Sequence, residues 1–323
     1  MIPMKLIIQI PCLNEEGTLA IAVGDLPRQV PGFSTVEWLI IDDGSTDNTS
    51  ALAKELGVDH VIRHAVNRGL ATAFMTGMEA CLKLGADVIV NTDADNQYQA
   101  ADIPKLTAPI TAGQADMVIG ERPIDDTEHF SWIKKKLQRL GSWAVRKASR
   151  TDVADAPSGF RAISRETALR LNVFNAYTYT LETIIQAGLS NLRVISIPIG
   201  TNPDLRPSRL VKSISSYVRR SLLTIFRVFL IYRPLAMFFW AAMAFIATGT
   251  AVGLRFMYHY FTTGGAGYIQ SLIFAALCLM IGTLMLMMGF ITDLIAVNRK
   301  LLERIDLRLR RASGSSSDRN QIN

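Results

Sequence analysis

Up to about residue 205 the chain alternates short Val- and Ile-rich runs with helical stretches; beyond it the apolar runs become much longer. KLIIQIP (5–11), VEWLIIDD (36–43), DHVIRHA (59–65), ADVIVNTDAD (86–95) and ADMVIGER (115–122) have strand length. Glu16 to Leu26, Asp47 to Leu56 and Ala71 to Leu84 read as helices between them. Strand and helix in repeated alternation predict an α/β domain over residues 1–205, a parallel sheet covered by helices on both faces. Ligands of such sheets bind beyond the carboxyl ends of the strands, so the residues just after each run carry the interest.

From residue 206 the pattern changes. Residues 206–233 place Leu210, Ile214, Tyr217, Leu222, Ile225 and Phe229 at helical spacing among Lys212, Arg219, Arg220 and Arg227, the mark of amphipathic helices in a membrane interface. Leu235 to Leu254 is uncharged for 20 residues, which at about 1.5 Å per residue covers the roughly 30 Å hydrocarbon core of a bilayer. Ile269 to Thr292 is a second such run, so residues 234–296 read as a two-helix transmembrane hairpin (about 235–257 and 269–292). Arg and Lys flank both outer ends (Arg219, Arg220, Arg227 and Arg233; Arg299, Lys300 and Arg304), while the connecting MYHYFTTGGAGY has neither. By the positive-inside rule the first domain and both termini face the cytoplasm, at the inner membrane of the cell. The tail, residues 297–323, is basic and ends in ASGSSSDRNQIN, a composition that reads as disordered.

Charge sharpens the division. Residues 1–205 carry a net −5 and residues 206–323 a net +11, so the overall +6 averages an acidic domain with a basic one and points to an anionic bilayer rather than to nucleic acid. Three scattered cysteines and four ungrouped histidines exclude a disulfide framework and a His- or Cys-based metal site. MIPMKLIIQIP reads as a first strand and not as a signal peptide.

The chemistry sits after the strands. Pro11, Asn14, Glu15 and Glu16 follow the first; Asp42, Asp43, Gly44, Ser45 and Thr46 the second; Asp93, Asp95 and Gln97 the fourth. PCLNEEG lacks the G-x-G-x-x-G of a dinucleotide site. Asp93 and Asp95, two residues apart at a strand end, repel one another unless a cation offsets them, and a hard divalent ion takes such oxygens together with substrate phosphate and water. In IIDDGSTDNT, Gly44 permits a tight turn, Ser45 or Thr46 is positioned to cap the next helix, and Asp43 is left with a free carboxylate for a ribose or a base.

PCLNEE, LIIDDGSTDNT, NRG before a helix, and NTDADNQY, in this order and spacing, resemble family 2 glycosyltransferases of the GT-A fold. ADAPSGFRAISRE and the hairpin narrow the resemblance to polyprenyl-phosphate glycosyltransferases such as dolichyl-phosphate mannose synthase and two-helix undecaprenyl-phosphate glucosyltransferases. The resemblance implies a Rossmann-like, mixed and mainly parallel sheet, and inverting transfer of a hexose from a UDP- or GDP-sugar to a polyprenyl phosphate. It assigns Pro11, Asn14, Glu15, Asp43 and Asp93 to the donor, Asp93, Asp95 and Gln97 to Mg2+ or Mn2+, and Asp155, with Asp95, to catalysis. It places Arg122, Arg139, Ser142, Arg206 and Arg209 at the lipid phosphate or donor diphosphate; Arg suits such contacts. Leu13, where many relatives have Tyr, and RPSR, where some have G-x-S-K, depart from the pattern.

Since a phosphate monoester is already largely a dianion at neutral pH, with its second pKa near ~6, Asp155 is expected to position the acceptor or a cationic neighbour rather than abstract a proton. Glu182 is expected to begin a helix packed under the sheet, and Lys134 to Lys136 to face anionic headgroups. Two readings compete. A processive polysaccharide synthase or glycolipid enzyme would fit the domain, but Q-x-x-R-W is missing and two spans are few for a channel. A non-enzymatic membrane scaffold has no reason to keep the close carboxylates. The spans and amphipathic helices also offer surfaces for a homo-oligomer.

Overall fold

The computed structural model describes residues 3–123, 142–143, 145–147, 149, 151–173, 179–203, 223, 226–227, 230, 234–264 and 268–319. The chain divides into two compact units, Met1–Ile225 with Asp306–Asn323, and Phe226–Ile305.

Among the described residues the first unit is built on seven strands: β1 (Lys5–Cys12), β2 (Thr35–Asp42), β3 (His60–Arg63), β4 (Val88–Asn91), β5 (Met117–Glu121), β6 (Arg161–Ser164) and β7 (Val194–Pro198), in the order β3-β2-β1-β4-β6-β5-β7. The pairings β1 with β2, β1 with β4, β2 with β3 and β5 with β7 are parallel, and β6 runs antiparallel between β4 and β5. Seven of the eight β1 residues are buried, which explains a continuous apolar run rather than an alternating one: both faces are covered. Helices α1 (Glu16–Gly24), α2 (Thr49–Glu55), α3 (Leu70–Lys83), α4 (Ile103–Thr111), α5 (Arg165–Arg170) and α6 (Thr180–Leu189) supply the cover. The mixed, mainly parallel sheet of the sequence reading is therefore present, and the five expected strands all form. Glu182 lies in the first turn of α6 and is buried, as expected.

Periodicity did not disclose β6 and β7. β6 is four residues long and opens on a charged residue, Arg161, whose burial depends on acceptors in the loop before it and in helix α6. It nevertheless sets the geometry of the whole edge. Because β6 is antiparallel, its first residue pairs with the last of β4 (Arg161 with Asn91), so the chain just before it, Asp155 to Phe160, arrives at the carboxyl end of β4 beside Asp93.

The second unit contains α7 (Pro234–Thr263) and most of α8 (Ile269–Arg319). Both are long and apolar enough to cross a membrane, over Pro234–Thr262 and Ile269–Asn298. Small residues let them touch. Ala242, Ala275 and Cys278 are buried, and a Cβ added at Gly249 would lie 3.0 Å from the Ala275 carbonyl oxygen. Helix α8 continues to Arg319, so the first part of the polar tail is helical where its composition reads as disordered. Helix propagation costs little once a long helix exists, and Leu301 to Arg311 is rich in strong helix formers. Most of residues 206–233 lies outside the described residues.

Candidate active site

The loops after β1 and β2 form one interlocked block. Asn14, in the left-handed region at φ 54°, turns the chain out of β1; its N–H donates to Ser45 Oγ (2.9 Å) and its Oδ1 accepts from Thr46 N–H (2.8 Å). Glu15 N–H donates to Thr49 Oγ1 (3.0 Å), and Glu15 Oε2 accepts from Thr18 Oγ1 (2.9 Å). Ser45 and Thr46 thus fasten the first loop to the second and do not cap α2, correcting the sequence reading. Asn48 holds the cap position there without a side-chain bond to the helix. Pro11 is buried within β1, opposite Ile41.

Asp43 also differs from expectation, since its carboxylate is not free. Oδ1 accepts from His64 Nδ1 (2.7 Å) and Arg68 N–H (2.9 Å), and Oδ2 from Gly69 N–H (2.8 Å). A carboxylate this deeply placed requires donors, and the loop after β3 provides them.

After β4 the chain turns through Asn96, again left-handed at φ 56°. Asp93, Asp95 and Gln97 lie along this turn, each half-buried, and Asp95 Oδ1 accepts from Gln97 N–H (3.2 Å). Burial, and then the neighbouring Asp95 charge, push the Asp93 carboxyl up to about 7 against relief from Arg122 and Arg161. Gly159 lies against it: a Cβ added there would stand 2.9 and 3.0 Å from the two Asp93 oxygens. Among the described residues no three His, Cys, Asp or Glu side chains gather as a metal cluster. Two carboxylates and an amide on one turn could hold a hard ion whose other ligands come from a substrate, and a cation there would offset the repulsion between Asp93 and Asp95.

Asp155 is fully buried and paired with Arg122 at two points, Nε to Oδ2 (2.7 Å) and Nη2 to Oδ1 (3.1 Å). This is the cationic neighbour anticipated for it. Both Arg122, at the end of β5, and the Asp155 loop are brought here by the order β4-β6-β5. Ser142 does not offer its hydroxyl to solvent; it is 2% exposed and accepts from Ala156 N–H (3.4 Å), so it supports the Asp155 loop. Arg139, Arg206, Arg209 and Lys134 to Lys136 lie outside the described residues.

Beneath these groups runs a buried polar network that motif reading missed. Gln9 donates to Asn91 Oδ1 (2.9 Å), and Asn91 Nδ2 donates to the Gly159 carbonyl and to Tyr179 Oη (2.9 Å each). Tyr98 Oη accepts from Gly159 N–H (3.0 Å) and its ring stacks on Phe160. Arg161, fully buried, donates to the carbonyls of Ser158 (2.9 Å), Thr180 (2.9 Å) and Ala156 (3.2 Å) and to Thr183 Oγ1 (2.6 Å). Its guanidinium clamps the 156–159 segment from below. The available signal was Gln9 and Asn91, polar residues interrupting otherwise apolar strands.

Residues 7–175 match the sequence model of Glycosyl transferase family 2. The polyprenol monophosphomannose synthase of Mycolicibacterium smegmatis is 28% identical over 206 residues, covering 60% of this chain and 76% of that protein. A UDP-N-acetylglucosamine–dolichyl-phosphate N-acetylglucosaminyltransferase of Methanococcus voltae is 30% identical over 213 residues, 59% of this chain and 83% of that one. Among solved structures, glucosyl-3-phosphoglycerate synthase from Mycobacterium tuberculosis, in complex with Mn2+, UDP and glucosyl-3-phosphoglycerate, superposes with a TM-score of 0.53 at 22% identity, over 69% of this chain and 80% of that one, a likeness of fold. With more than half of its length matched by that family and the carboxylates of its motifs gathered at one sheet edge, the chain belongs to glycosyltransferase family 2 and is a glycosyltransferase.

Proposed function

We propose that the protein transfers one hexose from a UDP- or GDP-sugar to the phosphate of a membrane polyprenyl phosphate, with inversion at the anomeric carbon. The observation that carries this reading is the meeting at one sheet edge of the Asp93–Asp95 turn and the Asp155–Arg122 pair. Relatives named for polyprenol and dolichyl phosphate acceptors, and two helices able to span a bilayer, agree with a lipid acceptor.

In this reading Asp93, Asp95 and Gln97 hold a divalent ion, Mg2+ or Mn2+, as the likeness to an Mn2+–UDP complex suggests. Such an ion, when bound, neutralises the diphosphate and stabilises the charge left on it. Asn14, Glu15 and Asp43 flank the nucleoside. Arg122 supplies a fixed positive charge near the reacting groups, and Asp155 holds that guanidinium in place. A carboxylate with both oxygens taken by one arginine is a poor base, and the acceptor phosphate, largely dianionic, needs none. The acceptor attacks the face opposite the leaving group in a single displacement. With Arg255 the only Lys or Arg between residues 234 and 298, the charge pattern supports a cytoplasmic catalytic domain at the inner membrane.

Membranes containing the protein are incubated with radiolabelled UDP-glucose, UDP-GlcNAc, UDP-galactose or GDP-mannose, and the lipid is extracted with and without EDTA. Label in a polyprenyl-phosphate fraction that EDTA abolishes is expected. No metal-dependent label in that fraction from any donor refutes the reading.

A further inference from the structure

The segment after β3 is shaped around one carboxylate. His64 N–H extends the strand ladder to the Asp42 carbonyl (2.8 Å), and its ring, 7% exposed, stands between Asp43 and helix α3. Nδ1 lies 2.7 Å from Asp43 Oδ1 and Nε2 3.1 Å from Thr76 Oγ1. An ionised carboxylate only accepts, so Nδ1 carries a proton; Thr76 then donates to Nε2 when the ring is neutral. The two loops close tightly on this arrangement. Gly44, at φ 76°, has no room for a side chain, since a Cβ there would lie 2.6 Å from the Val66 carbonyl carbon. Arg68 and Gly69 direct both their N–H groups at Asp43.

Only 5% of the Asp43 side chain is exposed, so contact with a ligand is confined to one edge of the carboxylate, and the direction of that edge decides whether the contact forms. Oδ1 takes two of the three donors and Oδ2 one, which leaves acceptor capacity on Oδ2. The neighbouring Asp42 serves a separate purpose, accepting from Ser45 N–H (2.8 Å) and from Ser50 Oγ and so holding its own loop.

From this geometry we infer that His64 is a positioning residue of the donor site: held by Thr76, it fixes the Asp43 carboxylate so that Oδ2 meets an N–H of the base or a hydroxyl of the ribose. The inference rests on the donor-site reading above and adds to it the group that orients the nucleoside contact. His64 touches neither the sugar nor the reacting atoms, so its loss falls on nucleotide affinity and not on turnover.

The test is a double-mutant cycle on the full-length protein in nanodiscs, with UDP and GDP titrated calorimetrically in the presence of Mn2+. His64→Phe keeps a ring in place but removes both hydrogen bonds; it is expected to weaken the nucleotide that the wild type binds about tenfold, the loss associated with one hydrogen bond to a charged group. His64→Asn, whose amide N–H reaches toward the same oxygen, recovers most of that loss. In an Asp43→Ala background His64→Phe changes nucleotide affinity no further. KM for the sugar donor rises in His64→Phe while kcat stays within about twofold. Thermal unfolding of each variant separates folding from binding. Wild-type affinity in His64→Phe, or the same loss with and without Asp43, overturns the inference alone. A wild-type protein that binds neither nucleotide overturns the donor-site reading and this inference with it.

Discussion

Replacing Gly159 by alanine tests the geometry on which the site depends. The backbone there is not left-handed, so alanine brings no conformational strain and the perturbation is steric. The new methyl would lie 2.9 and 3.0 Å from the Asp93 oxygens and 3.0 Å from Tyr179 Oη. Ordinary contact begins near 3.4 Å, so one side must retreat by roughly 0.5 Å, about the tolerance of a working site. The Gly159 backbone is held by Asn91 and Tyr98 and its neighbours by Arg161, which leaves the Asp93 carboxylate as the part that yields. A displacement of about 1 Å costs on the order of 100-fold in rate, so half of that predicts roughly a tenfold loss. The destabilisation expected of overpacking is about 1–3 kcal/mol. Initial rates on polyprenyl phosphate across a Mn2+ titration read both rate and metal requirement, and the half-saturating Mn2+ concentration should rise. Gly17→Ala serves as control, because a Cβ there meets nothing within 4 Å. Wild-type rate and metal dependence in Gly159→Ala would show that the Asp93 carboxylate is not constrained by this loop, refuting the reasoning.

Asp155→Asn removes one charge of a buried pair and should destabilise the protein by roughly 3 kcal/mol, read by thermal unfolding. The residual rate should keep the shape of the wild-type pH profile at a lower level, whereas a flat profile in the variant where the wild type shows a limb would identify Asp155 as a true base. Arg161→Lys exchanges a planar five-donor fork for a single ammonium and leaves buried carbonyls without donors; a loss of about 3 kcal/mol with a reduced rate is expected, from the same melts and assays. Without metal, the Asp93 carboxyl sits above its ordinary range, at about 7, so the fold is favoured while that group is protonated and loses the contribution as pH rises through about 7. Calorimetry with EDTA should therefore show a lower Tm at pH 8 than at pH 6, and the gain on adding Mn2+ should be larger at pH 8.

Periodicity and burial account for what could be read in advance. The strands β1, β2, β4 and β5 lie inside the sheet and are mostly buried, and such strands announce themselves as Val and Ile runs whatever their partners, while the edge strand β3 shows only the short HVIR. The Asp93–Asp95 pair stood out in the sequence because two carboxylates close together at a strand end repel one another unless a cation offsets them. Asp43 was misread as free because its donors, His64, Arg68 and Gly69, lie 21 to 26 residues away and belong to another loop. Ser142 was assigned to the acceptor by motif position, yet its hydroxyl turns inward to Ala156.

By itself, then, the amino-acid order determined an α/β domain followed by two apolar helices, along with the carboxylates at the strand ends. These depend on spacing along the chain, which local hydrophobicity and charge express directly. The tertiary structure decided which of those groups meet. The antiparallel insertion of β6 carries Asp155 and Gly159 to Asp93, and the buried guanidinium of Arg161 holds them there. Register and long-range hydrogen bonding are relations between distant segments, and they exist only once the sheet has assembled.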